Sequence, residues 1–201
     1  MLNFSKEKKI SKFIIGVDEV GRGPLAGPVV SAAVILSSDF EINKLNDSKK
    51  LSSSQREIVS RLIKEKCYYK IGIANVEEID KHNILQATFI SMKRAINQFD
   101  SNYLLKYKII VDGPWSFDKN NKNIIPKIKG DAEYPSIAAA SIVAKVYRDN
   151  LMTNLAKKFS YYSWDQNYGY GTKKHIMAIK SHGVTIHHRK TFSPIHKILS
   201  H

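Results

Sequence analysis

Four acidic residues stand where acids are costly to place. Asp18 and Glu19 close the apolar run "FIIGV", Asp112 closes "KIIV", and Asp131 follows "KIKG" just ahead of a long helical pattern. A carboxylate at the end of a buried strand loses hydration and calls for a compensating partner. A hard divalent cation supplies one, since Mg2+ and Mn2+ take oxygen ligands and leave room for water and phosphate. Strand ends along one sheet edge are also where open α/β sheets place their sites. Asp112–Gly113 by itself is equally a common turn pair. The four acids together carry the reading.

The elements that must hold these acids follow from periodicity. A strand over 13–17 runs into a Gly/Pro-rich turn through Pro28, and a β-branched strand covers 29–36. "DSKKLSSSQREIVSRLIKEK" is a loop entering a helix, with a serine among 52–54 as cap and Ile58, Leu62 and Ile63 as its apolar stripe. A third strand spans 68–74, a helix 84–99, a short buried strand 108–113, and a weaker fifth strand 123–128. The longest helix covers 137–159 and opens with the small-residue run "IAAASIVA"; a last one covers 172–182, stopped by Gly183. Three strands precede the alternating elements, so the class is α/β, a mixed sheet flanked by helices. A regular strand sends Asp18 and Glu19 to opposite faces. Both serve one site only if the strand bends or ends there, and "GRGPLAGP" gives it reason to end.

Gly21, Gly23 and Ala26 also satisfy the dinucleotide fingerprint, which works only when a helix follows. Here Pro28 and "VVSAAVIL" follow, a second strand, so that reading fails. No phosphate loop of the form G-x-x-x-x-G-K-[ST] occurs.

The 201 residues suit one domain with its core over about 13–193, and a chain of this size buries enough surface to need no staple. A composition of 43% hydrophobic and 25% charged residues is that of a globular protein, but the net charge of +14 is not ordinary. It points to a polyanionic partner, nucleic acid before a membrane surface. Cys67 is the single cysteine, which excludes an intrachain disulfide framework and a cysteine-based zinc cage. Acids interrupt any signal-peptide core, and no apolar run approaches the ~18 residues of a membrane span, so a soluble cytoplasmic protein is expected. His175, His182, His187, His188, His196 and His201 crowd the C-terminus without zinc-site spacing and read as surface histidines.

With "GVDEVGRGPLAGPV", "LNDSKKLS", "NILQAT", "VDG", "KGD", "SIAAASIVAKVYRD", "GYGTKKH" and "HHRKTF" in view, the chain resembles bacterial type 2 ribonuclease H over about residues 13–193. The resemblance implies an RNase H-like fold with five strands and a helical C-terminal extension. It implies hydrolysis of the RNA strand of RNA–DNA hybrids, single ribonucleotides in duplex DNA included, leaving 5′-phosphate and 3′-hydroxyl ends. Two Mn2+ or Mg2+ ions would serve, one activating water and the other stabilising the leaving oxygen. Asp18, Glu19, Asp112 and Asp131 would bind them.

By the same resemblance Gly21, Arg22 and Gly23 sense the 2′-hydroxyl that separates RNA from DNA, and Tyr170 packs on the neighbouring deoxyribose. Ser48, Lys49, Lys50, Asn83, Lys145 and Arg189 match phosphate contacts, and Asp149 matches an acid read here as an ion-pair partner within its helix. The stretch between Asp112 and Asp131 varies in this family. The end, "SPIHKILSH", carries no sliding-clamp motif, so no protein partner is assigned and a monomer is expected. The related type 3 branch carries an extra N-terminal domain and usually a lysine at the turn; a first acid at position 18 and Arg22 argue against it. A non-catalytic basic nucleic-acid-binding protein would explain the charge, but it needs stacking platforms or a groove-reading helix and has no use for four converging acids.

Overall fold

The computed structural model describes residues 2–45 and 51–200. A short helix, α1 (Ser5–Ile10), precedes strands β1 (Ile14–Val20) and β2 (Val29–Ile35). Helix α2 (Ser53–Lys66) leads to β3 (Tyr68–Ala74), and α3 (Val76–Ile96) and α4 (Ser101–Lys106) lead to β4 (Lys108–Asp112). After β5 (Ile124–Lys127) the chain is helical: α5 (Pro135–Lys158), α6 (Trp164–Asn167), α7 (Lys173–His182) and α8 (Ile195–Leu199). The five strands lie in the order β3-β2-β1-β4-β5. β1, β2 and β3 are antiparallel, whereas β1, β4 and β5 are parallel. The sheet is therefore mixed, as expected. Among the described residues no helix is long and apolar enough to cross a membrane.

Both faces of the sheet are covered, which is why β2 is buried at every position rather than alternating. On one face Ile15, Val17, Ile109 and Val111 pack against Met92, Ala95 and Ile96 of α3. On the other, Ala32 and Val34 meet Ala138, Ala139, Ile142 and Val143 of α5 and Val59 and Ile63 of α2. A third cluster joins Leu25 and Ala26 to Met152, Trp164, Ile179 and Ile195, tying the helical C-terminal segment to the turn after β1. The small residues opening α5 let it lie flat on β1. A Cβ added at Gly16 would stand 2.2 Å from the carbonyl carbon of Ser136.

Helix α5 starts with Pro135 in its first turn and has no side-chain cap of its own. One of its free N–H groups is met from elsewhere: the buried Glu7 carboxylate of α1 accepts from the Ser136 amide at 2.8 Å and from the Ser136 hydroxyl at 2.7 Å. Burial raises the Glu7 carboxyl above its usual range, and the Ser136 bonds oppose the rise. Lys6 adds an exposed ion pair with Glu133 at 2.7 Å.

Several elements differ from expectation. β1 does not end at its acids, because its antiparallel partner carries it on through Glu19↔Ser31 and Val20↔Val30. Ser52 does cap α2, as expected, accepting from the Gln55 amide at 3.3 Å. Ile58, expected on the buried stripe of α2, is exposed, and Val59 packs in its place. α3 begins eight residues before the expected helix at 84, with a break at Asn83 (φ 68°, ψ 167°). Short α1, α4 and α8 fall below the length at which periodicity is readable.

The contact at Gly16 makes a firm prediction. Gly16→Val should cost at least about 3 kcal/mol in urea unfolding, because the obstruction is backbone rather than a movable side chain. An unchanged midpoint would contradict the packing of α5 on β1.

Candidate active site

Parallel pairing of β1 with β4 stops at Val17↔Val111, so Asp18 and Asp112 are the first residues beyond it on neighbouring strands. Asp18 is only 6% exposed. Its carboxylate accepts from the Glu19 amide at 2.7 Å and bonds the Ser141 hydroxyl of α5. Burial first, then the negative charges of Glu19 and Asp112, hold the Asp18 carboxyl well above its ordinary value. Glu19 is also raised, mainly by burial; Arg22, 3.2 Å away, pulls it back.

Asp112 is raised by burial against a 2.6 Å hydrogen bond from the Gly130 amide. That bond, with one from the Asp131 amide, ties the end of β4 to the 3-10 turn Gly130–Ala132 carrying Asp131. Lys129 ahead of it takes a left-handed conformation (φ 56°), turning the chain toward α5. Asp131 is itself buried, and its charge acts on Asp112. Two acids near the end of β1, one at the end of β4 and one turn acid thus share one electrostatic neighbourhood. The alternation problem is solved at the sheet edge: Asp18 faces α5, while Glu19 lines a groove on the α3 side with Asp112, Leu85, Phe89 and Met92.

The donor set consists of carboxylate oxygens only, and its members raise one another's affinity for positive charge, which fits a hard divalent cation. Among the described residues no three His, Cys, Asp or Glu side chains already enclose a common point. Glu19 is turned to Arg22, and Asp112 is engaged by Gly130.

The turn after β1 is held from behind by two buried arginines. Arg189, 0% exposed, donates to the carbonyls of Gly21 (2.5 Å), Arg22 (2.9 Å) and Gly27 (2.8 and 3.0 Å). Arg148 donates to Ala26, Pro28 and Tyr168. Burial lowers both guanidiniums, Arg148 to about 10 and Arg189 to about 9. This corrects the reading of Arg189 as a phosphate contact: it faces inward, and its donors are already used.

Tyr170 is 44% exposed and lies beside the turn, 3.5 Å from where a Cβ on Gly23 would be. Lys145 pairs with Asp149 at 2.8 Å, the helical ion pair expected, and stands 4.8 Å over the Tyr168 ring. Asn83 is exposed, and its side chain caps the second half of α3 through the Leu85 and Gln86 amides. Ser48, Lys49 and Lys50 lie outside the described residues.

The surface reading of the histidines fails for His175 and His188, both fully buried. His175 Nδ1 donates to the Tyr170 carbonyl at 2.9 Å, and its Nε2 accepts from the Trp164 indole at 3.0 Å. The Thr185 amide donates to His188 Nδ1, leaving the His188 proton on Nε2, 3.1 Å from His175 Nε2. His175 is satisfied when neutral, and the His188 proton shares the His175 Nε2 lone pair with the Trp164 indole. Their spacing in "GYGTKKH" and "HHRKTF" gave no sign of this, because the pairing is made by tertiary structure.

With the geometry in hand, comparison with known proteins is decisive. A family model described as Ribonuclease HII matches residues 15–195. The chain belongs to the ribonuclease HII family. A Ribonuclease HII of Wolbachia pipientis subsp. Culex pipiens is 52% identical over 196 residues, 96% of either chain. The crystal structure of ribonuclease H2 from Pyrococcus horikoshii OT3 superposes with a TM-score of 0.77 at 25% identity, covering 93% of this chain and 97% of that one. Bst-RNase HIII in complex with Mn2+ shares the fold at 18% identity, with a TM-score of 0.72 over 93% of this chain and 69% of that one.

The buried histidines predict a pH dependence. Burial lowers His188 from 6.5 to about 4, with His175 and His187 adding to it. The unfolded chain then binds the proton first, so stability present above pH 6.5 is lost as pH falls toward 4. Urea midpoints should fall over that window, and less steeply in His188→Gln. Equal slopes in both proteins would refute the neutral pair.

Proposed function

We propose that this chain hydrolyses the RNA strand of RNA–DNA hybrids, and single ribonucleotides embedded in duplex DNA, using two divalent ions held by Asp18, Glu19, Asp112 and Asp131. One observation carries the reading: the buried Asp18 and the half-buried Glu19 and Asp112 form a mutually repelling group near the ends of β1 and β4, with Asp131 bound to Asp112 through a shared turn. Hybrid-directed endoribonuclease activity comes with the family. When bound, Mn2+ or Mg2+ would supply a nucleophilic water and charge neutralisation at the leaving oxygen, giving 5′-phosphate and 3′-hydroxyl ends.

The protein's own groups prepare the substrate side. In a trans peptide the carbonyl and the following N–H point in opposite directions. Arg189 draws the Gly21 and Arg22 carbonyls inward, so the Arg22 and Gly23 amides face away from it, toward the side where a 2′-hydroxyl oxygen can accept. Tyr170, beside Gly23, then lies where the adjacent deoxyribose would pack. Lys145, Asn83 and the segment Ser48–Lys50 remain our proposed backbone contacts, supported by the +14 charge. We also take residues 1–201 as one catalytic domain, because α1 docks on α5 through Glu7 and Ile195 of α8 lies in the C-terminal cluster.

The test is a metal-dependent nicking assay on duplex DNA with one ribonucleotide. Asp18→Asn and Asp112→Asn should each slow cleavage at least about a hundredfold; cleavage that survives either removes the mechanism. Tyr170→Ala should keep Mn2+ binding but lose turnover on single ribonucleotides, and equal turnover would end its assigned role. Hybrid affinity should fall steeply with salt as counterions are released; a flat response would contradict the basic binding face.

A further inference from the structure

Trp115 has no part in the site as described so far, yet it stands at its edge. Gly113, with φ 93°, turns the chain off the end of β4, and Trp115 follows Asp112 by three residues. Its ring lines the same groove as Glu19, Arg22 and Asp112, whose other wall is Leu85, Phe89 and Met92 of α3. The side chain is 54% exposed, whereas Trp164, the other tryptophan, is 0% exposed. Among the described residues no ring stack, cation contact or hydrogen bond engages the Trp115 indole.

An exposed indole beside acids in a chain of +14 charge is poorly placed for stability and well placed for nucleic acid. Contacts run in order from Tyr170 to Gly23, Arg22, Glu19 and the groove of Trp115. One exposed aromatic ring therefore stands at the turn after β1 and a second lines the groove of the carboxylates. Bases inside a hybrid duplex are stacked and closed to a third ring, but the wide, shallow minor groove presents sugar faces.

We propose that Trp115 is a substrate-binding residue whose indole packs against the sugar of a nucleotide across the cut from Tyr170. It would lengthen the bound footprint and favour duplexes that continue on both sides of the scissile phosphate. This rests on the nuclease reading above.

The two-tryptophan composition supplies a direct test. In EDTA, where no cleavage occurs, the intact protein is titrated with an RNA–DNA hybrid while intrinsic fluorescence and the anisotropy of a labelled hybrid are followed. Emission should change with the same midpoint as anisotropy. Trp115→Phe should abolish most of that change while keeping affinity within about twofold, since a ring remains. With Mn2+ added, Trp115→Ala should raise KM about tenfold, the size of one lost stacking contact, with kcat within about twofold. If wild type neither binds nor cuts the hybrid, the nuclease reading itself fails. If it does both, but emission is unchanged on binding or Trp115→Ala binds and cuts as wild type does, the Trp115 proposal alone is overturned.

Discussion

Holding several carboxylates together away from water is the constraint from which the rest of this architecture follows. Two like charges about 4 Å apart repel by roughly 4 kcal/mol at an effective dielectric of about 20, so the scaffold must resist that force. The resistance comes from the ends of two parallel strands, a hydroxyl on α5 and backbone amides from the turn before α5. Asp18 is held by α5, Glu19 by Arg22 of the following turn and Asp112 by the turn before α5. Moving any one away would require a strand, a helix or a turn to move with it. The flat seating of α5 on β1 at Gly16 is part of the same demand, because it brings Ser141 to Asp18.

A second set of charges stands behind the turn after β1. Arg148 and Arg189 are fully buried and hydrogen-bonded to carbonyls rather than to carboxylates. Carbonyl dipoles stabilise the cations without cancelling them. The turn thus separates a negative cluster from a positive pair, and its peptide groups are oriented by both. A turn of this sequence would otherwise be mobile, given its glycines. Here the side chains of distant helical and C-terminal residues set its shape.

Much of this was readable in the residues. Apolar runs ending in acids pointed to Asp18, Glu19 and Asp112, the start of a long helix pointed to Asp131, and alternation and β-branching placed five strands within a few residues. The β-strand after "GRGPLAGP" removed the dinucleotide reading on grounds the structure supports. What escaped was made by tertiary contact. Arg189 has the composition of a phosphate ligand, and only its burial shows that it serves the turn. His175 and His188 are 13 residues apart and share no local pattern, yet their rings meet. Ser141 was concealed in a run of small residues whose evident purpose was packing. The continuation of β1 past its acids depended on a partner strand, and a single strand's sequence does not declare where its neighbour stops.

The long-range cap on α5 has a practical corollary for anyone trimming this protein. The family match begins at residue 15, so Glu7 lies upstream of the region that defines the family. An expression boundary drawn at that margin would keep every acid of the site and still leave the first turn of its main supporting helix undressed. The segment before β1 is thus a strut for the helix that backs the acidic edge.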